Sequence, residues 1–150
     1  MNSITPFLWF NDQAEKAIQF YLTVFKKSKI VYENRQGKKL FSASVILNGQ
    51  ELHFMNGGPA YQLTPAFSLF ISCKTQKEVD HYWNKLSKGG TPLQCGWVTD
   101  RFGVTWQVVP EQLGKYMADP DPKKSGRVMA AMLKMKKLNI AALTKAYLGK

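Results

Sequence analysis

Residues 7–25 read FLWFNDQAEKAIQFYLTVF, and the period of their apolar residues changes partway along. Ile4 to Phe10 is hydrophobic and suits a strand, and Asn11 and Asp12 stop it. Asp12 followed by Glu15 has the spacing of a helix start. Ala14, Ala17, Ile18, Tyr21, Val24 and Phe25 then recur at helical spacing, so one helix face is expected to be buried. Lys26 and Lys27 suit the negative end of the helix dipole. Lys29 to Glu33 reads as a strand, Arg35 to Lys39 as a polar turn around Gly37, and Leu40 to Leu47 as an alternating strand. Asn48-Gly49 is a strong hairpin turn, and Glu51 to Met55 returns as the partner strand. The order is strand, helix, then three strands.

After a loop over 56–65 the same order restarts. Phe67 to Ser72 is apolar and strand-like, Thr75 with Glu78 forms a capping box, and Val79, Trp83 and Leu86 make a helical stripe. Gly89-Gly90 ends that helix. Residues 91–98 and 104–109 read as strands, with a turn at Asp100 to Gly103. Beyond them the run Asp119-Pro120-Asp121-Pro122 is a rigid breaker. Val128, Met129, Met132, Leu133 and Met135 give an amphipathic helix, its methionines serving as adaptable core packing. Asn139 caps a final helix that turns Ile140, Leu143, Ala146 and Tyr147 inward. The predicted organisation is one domain over 1–150, with modules at 1–57 and 66–113 and a helical extension at 114–150.

The chain has 150 residues, 45% of them apolar, enough for a real core. No stretch approaches the roughly 20 apolar residues of a membrane helix, and no leader pattern opens the chain, so a cytoplasmic protein is expected. Cys73 and Cys95 offer no CxxC pair. The net charge of +11 is uneven: residues 1–113 hold 12 basic and 8 acidic side chains, residues 114–150 hold 9 and 2. A basic tail can contact phosphates. No arginine-rich run or RNP-like motif accompanies this one, so a solvated helix face is the expectation and nucleic acid is not expected as a partner. No GxSxG, HExxH or Walker loop is present, and Cys73 has no adjacent base.

Two tandem strand–helix–three-strand modules resemble the vicinal-oxygen-chelate superfamily, the glyoxalase/bleomycin resistance/dioxygenase group. Residues 7–17 and 20–25 look like the first strand and helix of its PhnB-like branch, and Asp100 to Pro110 looks like that branch's last strand. The tail from Asp119 to Tyr147 also resembles the branch's C-terminal extension. Some members carry the label 3-demethylubiquinone-9 3-methyltransferase. The resemblance implies an α+β fold: two βαβββ modules forming a cupped sheet, plus C-terminal helices, assembled as a homodimer. In metal-dependent relatives each of four strands supplies a His or Glu ligand. Those positions fall here on Thr5, Glu51, Phe67 and Gln107, which retains one carboxylate, with His53 two residues along the strand from Glu51.

The functional expectation follows. A small-molecule pocket is expected from Thr5, Phe7, Trp9, Glu51, His53, Phe67, Leu69 and Gln107, with Thr105 and Val109 continuing the last strand. No cofactor is expected; the alternative is a divalent metal on Glu51 and His53, serving a lyase, isomerase or dioxygenase. The methyltransferase alternative needs a methyl-donor site, and no glycine-rich turn joins the first strand to its helix.

Overall fold

Apolar residues spaced for a helix and for strands meet on one surface near the N-terminus. Ala14, Ala17, Ile18, Tyr21 and Val24 are the buried residues of α1 (Ala14–Val24). Leu8 and Phe10 of β1 (Phe7–Phe10), Ala43, Val45 and Leu47 of β3 (Lys39–Leu47), and Leu52 and Phe54 of β4 (Gln50–Asn56) are buried in alternation. The Phe54 ring lies 5.8 Å from Phe10 and 6.1 Å from Tyr21. Each large side chain so buried contributes about 1.5–3 kcal/mol, which outweighs the helix propensity of an 11-residue segment.

The computed structural model describes residues 2–150. By its contacts the chain divides into two units, 1–64 and 65–150. In the first unit the strands run in the order β1-β4-β3-β2, with β2 spanning Ser28–Gln36. The β1–β4 pair is parallel and the others antiparallel. Asn48 and Gly49 both have positive φ, 47° and 93°, so the expected two-residue hairpin turn forms. The polar turn expected over Arg35 to Lys39 is tighter than that. Arg35 and Gln36 still pair with β3, and the turn is confined to Gly37 and Lys38. Arg35 is held there by Glu33 and Glu15, at 3.0 and 2.6 Å.

The start of α1 also differs from expectation. The cap position is Gln13, with no side-chain cap bond, rather than Asp12. Asn56, at the end of β4, accepts the first helical N–H from Ala14 at 2.8 Å and donates to the Leu40 carbonyl at 3.1 Å. A residue 42 positions away thus satisfies the donor that a local aspartate was expected to take.

The second unit repeats the order as β5-β8-β7-β6. Its elements are β5 (Leu69–Cys73), α2 (Gln76–Ser87), β6 (Thr91–Pro92), β7 (Trp97–Thr99) and β8 (Thr105–Pro110). The Thr75–Glu78 capping box forms as expected. The expected strand over 91–98 does not form whole; it breaks into β6 and β7. Cys95 and Gly96 between them have left-handed φ of 59° and 82°, and their N–H groups go to the carbonyls of Met135 and Lys136. A Cβ on Gly96 would stand 2.7 Å from the Val108 carbonyl oxygen, so only glycine fits. The sheet gives up ladder bonds here to hold the C-terminal extension.

That extension is α3 (Glu111–Met117), α4 (Pro122–Met132) and α5 (Ile140–Leu148). Asp121 and Asn139 cap the last two helices. Val109, Leu113, Val128, Leu138 and Leu143 form a buried cluster, with Met117, Met132 and Met135 packed against it. Within the amphipathic stretch, Met129 and Leu133 face solvent and Met135 lies beyond the helix end. Gln76 joins the extension to α2, donating to the Leu138 carbonyl at 3.1 Å and accepting from the Ile140 N–H at 2.8 Å. No helix among the described residues is long and apolar enough to cross a membrane.

Candidate functional site

In the first unit one sheet face packs under α1 and the other stays half open. Residues paired across strands share a face, so the register decides what the open face carries. His53 of β4 pairs with Phe7 of β1 and with Ser44 of β3, and Ser44 pairs with Tyr32 of β2. Tyr32, Ser44, His53 and Phe7 therefore form one row across all four strands. Glu51 lies two residues from His53 on β4, and Trp9 lies two residues from Phe7 on β1.

The row is linked. The Phe7 ring stacks on the His53 imidazole, 6.0 Å between centroids and 20° between planes. The Tyr32 ring meets the imidazole edge-on at 6.1 Å, with its hydroxyl 3.4 Å from Nδ1. His53 Nε2 lies 3.8 Å from Glu51 Oε1. The fully buried Ser44 hydroxyl donates to that same carboxylate oxygen. Phe7 and Tyr32 are 57% and 47% exposed, so a molecule arriving from solvent meets aromatic surface on both sides of the imidazole. Trp9 has its own support. Its Nε1 donates to the Gly58 carbonyl at 2.8 Å and its ring meets Tyr61 edge-on at 5.1 Å. A Cβ on Gly57 would lie 2.4 Å from the indole, so the loop hugs the ring at a residue without a side chain.

Four of the expected pocket residues, Phe7, Trp9, Glu51 and His53, thus share this face, and Thr5 precedes β1, half-buried. Tyr32 and Ser44 were not read from the sequence. Alternation on β2 and β3 could have suggested a face, but only the pairing register brings them beside His53.

The second unit departs from the expected set. Phe67 precedes β5 and is exposed, so it does not stand on a strand face. Leu69 pairs with Trp106, one residue out of phase with Gln107, and the residue paired with Gln107 is Phe70. A slip of one residue moves a side chain to the opposite face, so Leu69 leaves the expected row and Phe70 joins it. Gln107 donates to Ser68 at 2.9 Å, and Thr99 and Thr105 bond each other at 2.9 Å. Cys73 is buried, and that burial pushes its thiol up to about 12, which leaves it protonated and unreactive.

The divalent ion implied by the resemblance does not suit this donor set. Among the described residues no three His, Cys, Asp or Glu side chains come together. Of the four positions, Phe67 cannot coordinate, Thr5 offers only a weak neutral hydroxyl, Gln107 is engaged with Ser68, and Glu51 accepts from Ser44. A bound methyl donor of the Rossmann type suits it no better. The β1–α1 junction, Asn11-Asp12-Gln13, has no glycine, its first helical N–H is taken by Asn56, and neither sheet is a doubly wound parallel one.

Comparison with known proteins gives the lineage. The family model described as 3-demethylubiquinone-9 3-methyltransferase matches residues 2–109, so the extension lies outside the matched span. Comparison with curated proteins returns no match. Among solved structures, a PhnB protein from Bacillus cereus, provisionally described as a 3-demethylubiquinone-9 3-methyltransferase, is 34% identical. It covers 71% of this chain and 97% of its own, with a TM-score of 0.64. Protein PA1353 from Pseudomonas aeruginosa is 22% identical over 71% of this chain and 95% of its own, with a TM-score of 0.60. The fosfomycin resistance protein FosX from Listeria monocytogenes, complexed with Mn(II) and sulfate, shares the fold at 16% identity. It covers 70% of this chain and 88% of its own, at a TM-score of 0.54. The chain belongs to the 3-demethylubiquinone-9 3-methyltransferase family, in its PhnB-like branch, and has the α+β glyoxalase/bleomycin resistance fold with added C-terminal helices.

Proposed function

We propose that this chain is a small-molecule-binding protein that holds its ligand on the open sheet face of the first unit, without a divalent metal. The carrying observation is the row Tyr32–Ser44–His53–Phe7 with Glu51 beside it: exposed Phe7 and Tyr32 rings flank a half-buried imidazole and a carboxylate that the buried Ser44 orients. Side chains that merely filled a core would be buried; here the polar groups are positioned and the rings are exposed. Few polar groups set among apolar ones is the usual composition of a ligand site. A homodimer belongs to the same proposal, supported by the exposed apolar residues Ile30 and Val31 on the edge strand β2, and the cytoplasm is its proposed compartment.

Native mass spectrometry of gently purified protein tests it. A dimer free of metal and carrying a small organic mass is the expected result. One divalent ion per chain, lost in Glu51→Ala, would replace this reading with a metal-dependent enzyme. Saturable binding of S-adenosylmethionine would replace it with the methyltransferase of the family description.

A further inference from the structure

Glu51 stands apart from most carboxylates of the chain. Glu15 and Glu33 pair with Arg35, Asp80 with Lys137, and Asp119 with Lys124. Glu78 and Asp121 cap helices. Basic side chains outnumber acidic ones 21 to 10, yet among the described residues the ionic neighbour of Glu51 is an imidazole at 3.8 Å, with no Lys or Arg nitrogen within 4 Å. The carboxylate is also fixed. Its Oε1 accepts from the buried Ser44 hydroxyl, and among the described residues Oε2 accepts from none. The imidazole is fixed in turn by Tyr32 at Nδ1 and by the stacked Phe7 ring.

We propose that this face takes an organic cation: an aryl- or alkylammonium whose charged head meets Glu51 and whose apolar body lies on Phe7 and Tyr32. An oriented carboxylate without a fixed cation gains a charge-assisted hydrogen bond from an ammonium. Exposed aromatic faces add attraction for the same charge. A carboxylate ligand would meet Glu51 as a like charge, and a neutral body of the same shape would gain the apolar contact alone. This rests on the reading of the face as a ligand site and names the chemistry that the site selects.

The test uses benzylammonium, benzyl alcohol and benzoate as matched probes, titrated into the full-length 15N-labelled chain and followed by amide shifts. The expected affinity order is ammonium, then alcohol, then benzoate, with shifts on β1, β2, β3 and β4 around Phe7, Tyr32, Ser44 and His53. Glu51→Gln keeps the shape and the acceptor for Ser44 while removing the charge. It is expected to weaken benzylammonium about tenfold or more and benzyl alcohol far less, so that the preference for the ammonium is lost. Tyr32→Leu, at an exposed position where folding is little affected, is expected to weaken both. If benzyl alcohol or benzoate shifts these amides as strongly as the ammonium, or Glu51→Gln leaves the ammonium unchanged, the cation assignment falls while the binding face stands. If none of the three shifts this face, the binding reading falls with it.

Discussion

The two units have one strand order and put it to different uses. In the first, the row through His53 crosses four full strands and ends in exposed aromatic rings. In the second, the corresponding parallel pair places Gln107 beside Phe70, and the polar groups satisfy each other, Gln107 with Ser68 and Thr99 with Thr105. The outer strands differ more. β2 has 9 residues, whereas β6 has 2 and β7 has 3, because the backbone between them turns to hold Met135 and Lys136. A shared topology therefore does not confer a shared site. Under the proposed function, the ligand face lies where oriented polar groups are left over, and its counterpart is lost where backbone and side chains hold an added segment.

The largest expected effect comes from the contact that the second unit has gained. Leu138 is fully buried in the extension cluster. Leu138→Ala is expected to cost about 2–5 kcal/mol, measured by denaturant unfolding. Hydrogen exchange should show α4 and α5 opening while α1 and β4 keep their protection. Equal loss of protection in α1 would mean that the units unfold as one block, and the contrast between them would fail.

Gly96→Ala is next. It combines a φ of 82° with a Cβ 2.7 Å from the Val108 carbonyl oxygen, and about 1–3 kcal/mol is expected. The counterpart in the first unit is Gly57→Ala, which would drive the new methyl into the Trp9 ring and displace it from the Gly58 carbonyl. About 1–3 kcal/mol is expected there too. The two differ in their readout. Gly57→Ala should change tryptophan near-ultraviolet dichroism and weaken ligand binding, whereas Gly96→Ala should lower stability and spare binding.

The smallest effect is that of pH. The Tyr147 hydroxyl, followed by the Asp121 N–H and Lys124, holds the Asp119 carboxyl below its ordinary 3.8. A depressed carboxylate adds stability that is complete above the ordinary value and is lost as pH falls through the lower folded one. Lys137, followed by Gln76, does the same for Asp80. Acid titration below about pH 4 should therefore loosen the extension first, read as lost exchange protection in α5. An extension that stays protected down to pH 2 would show that its apolar cluster suffices without these carboxylates.

Legibility followed the range of the interactions. The Asn48-Gly49 turn, the Thr75–Glu78 box and the Asn139 cap were readable because each depends on residues within a few positions. The start of α1 was not, because its donor is satisfied by Asn56 from another strand. The break at Cys95-Gly96 was equally hidden, since its cause lies 40 residues away at Met135. The tail's likeness to the family's own extension lies beyond the matched span, which ends at residue 109.

The sequence by itself determined the repeated element order, the α+β class and four of the residues that now share one face. Those features follow from local periodicity and from residue types that favour one backbone conformation. Only the tertiary structure decided that Tyr32 and Ser44 join His53, that Phe70 rather than Leu69 stands beside Gln107, and that Glu51 has no lysine or arginine partner among the described residues. Each of these depends on pairing register, where a slip of one residue reverses the face, and the register is set by the packing of the whole sheet against its helix.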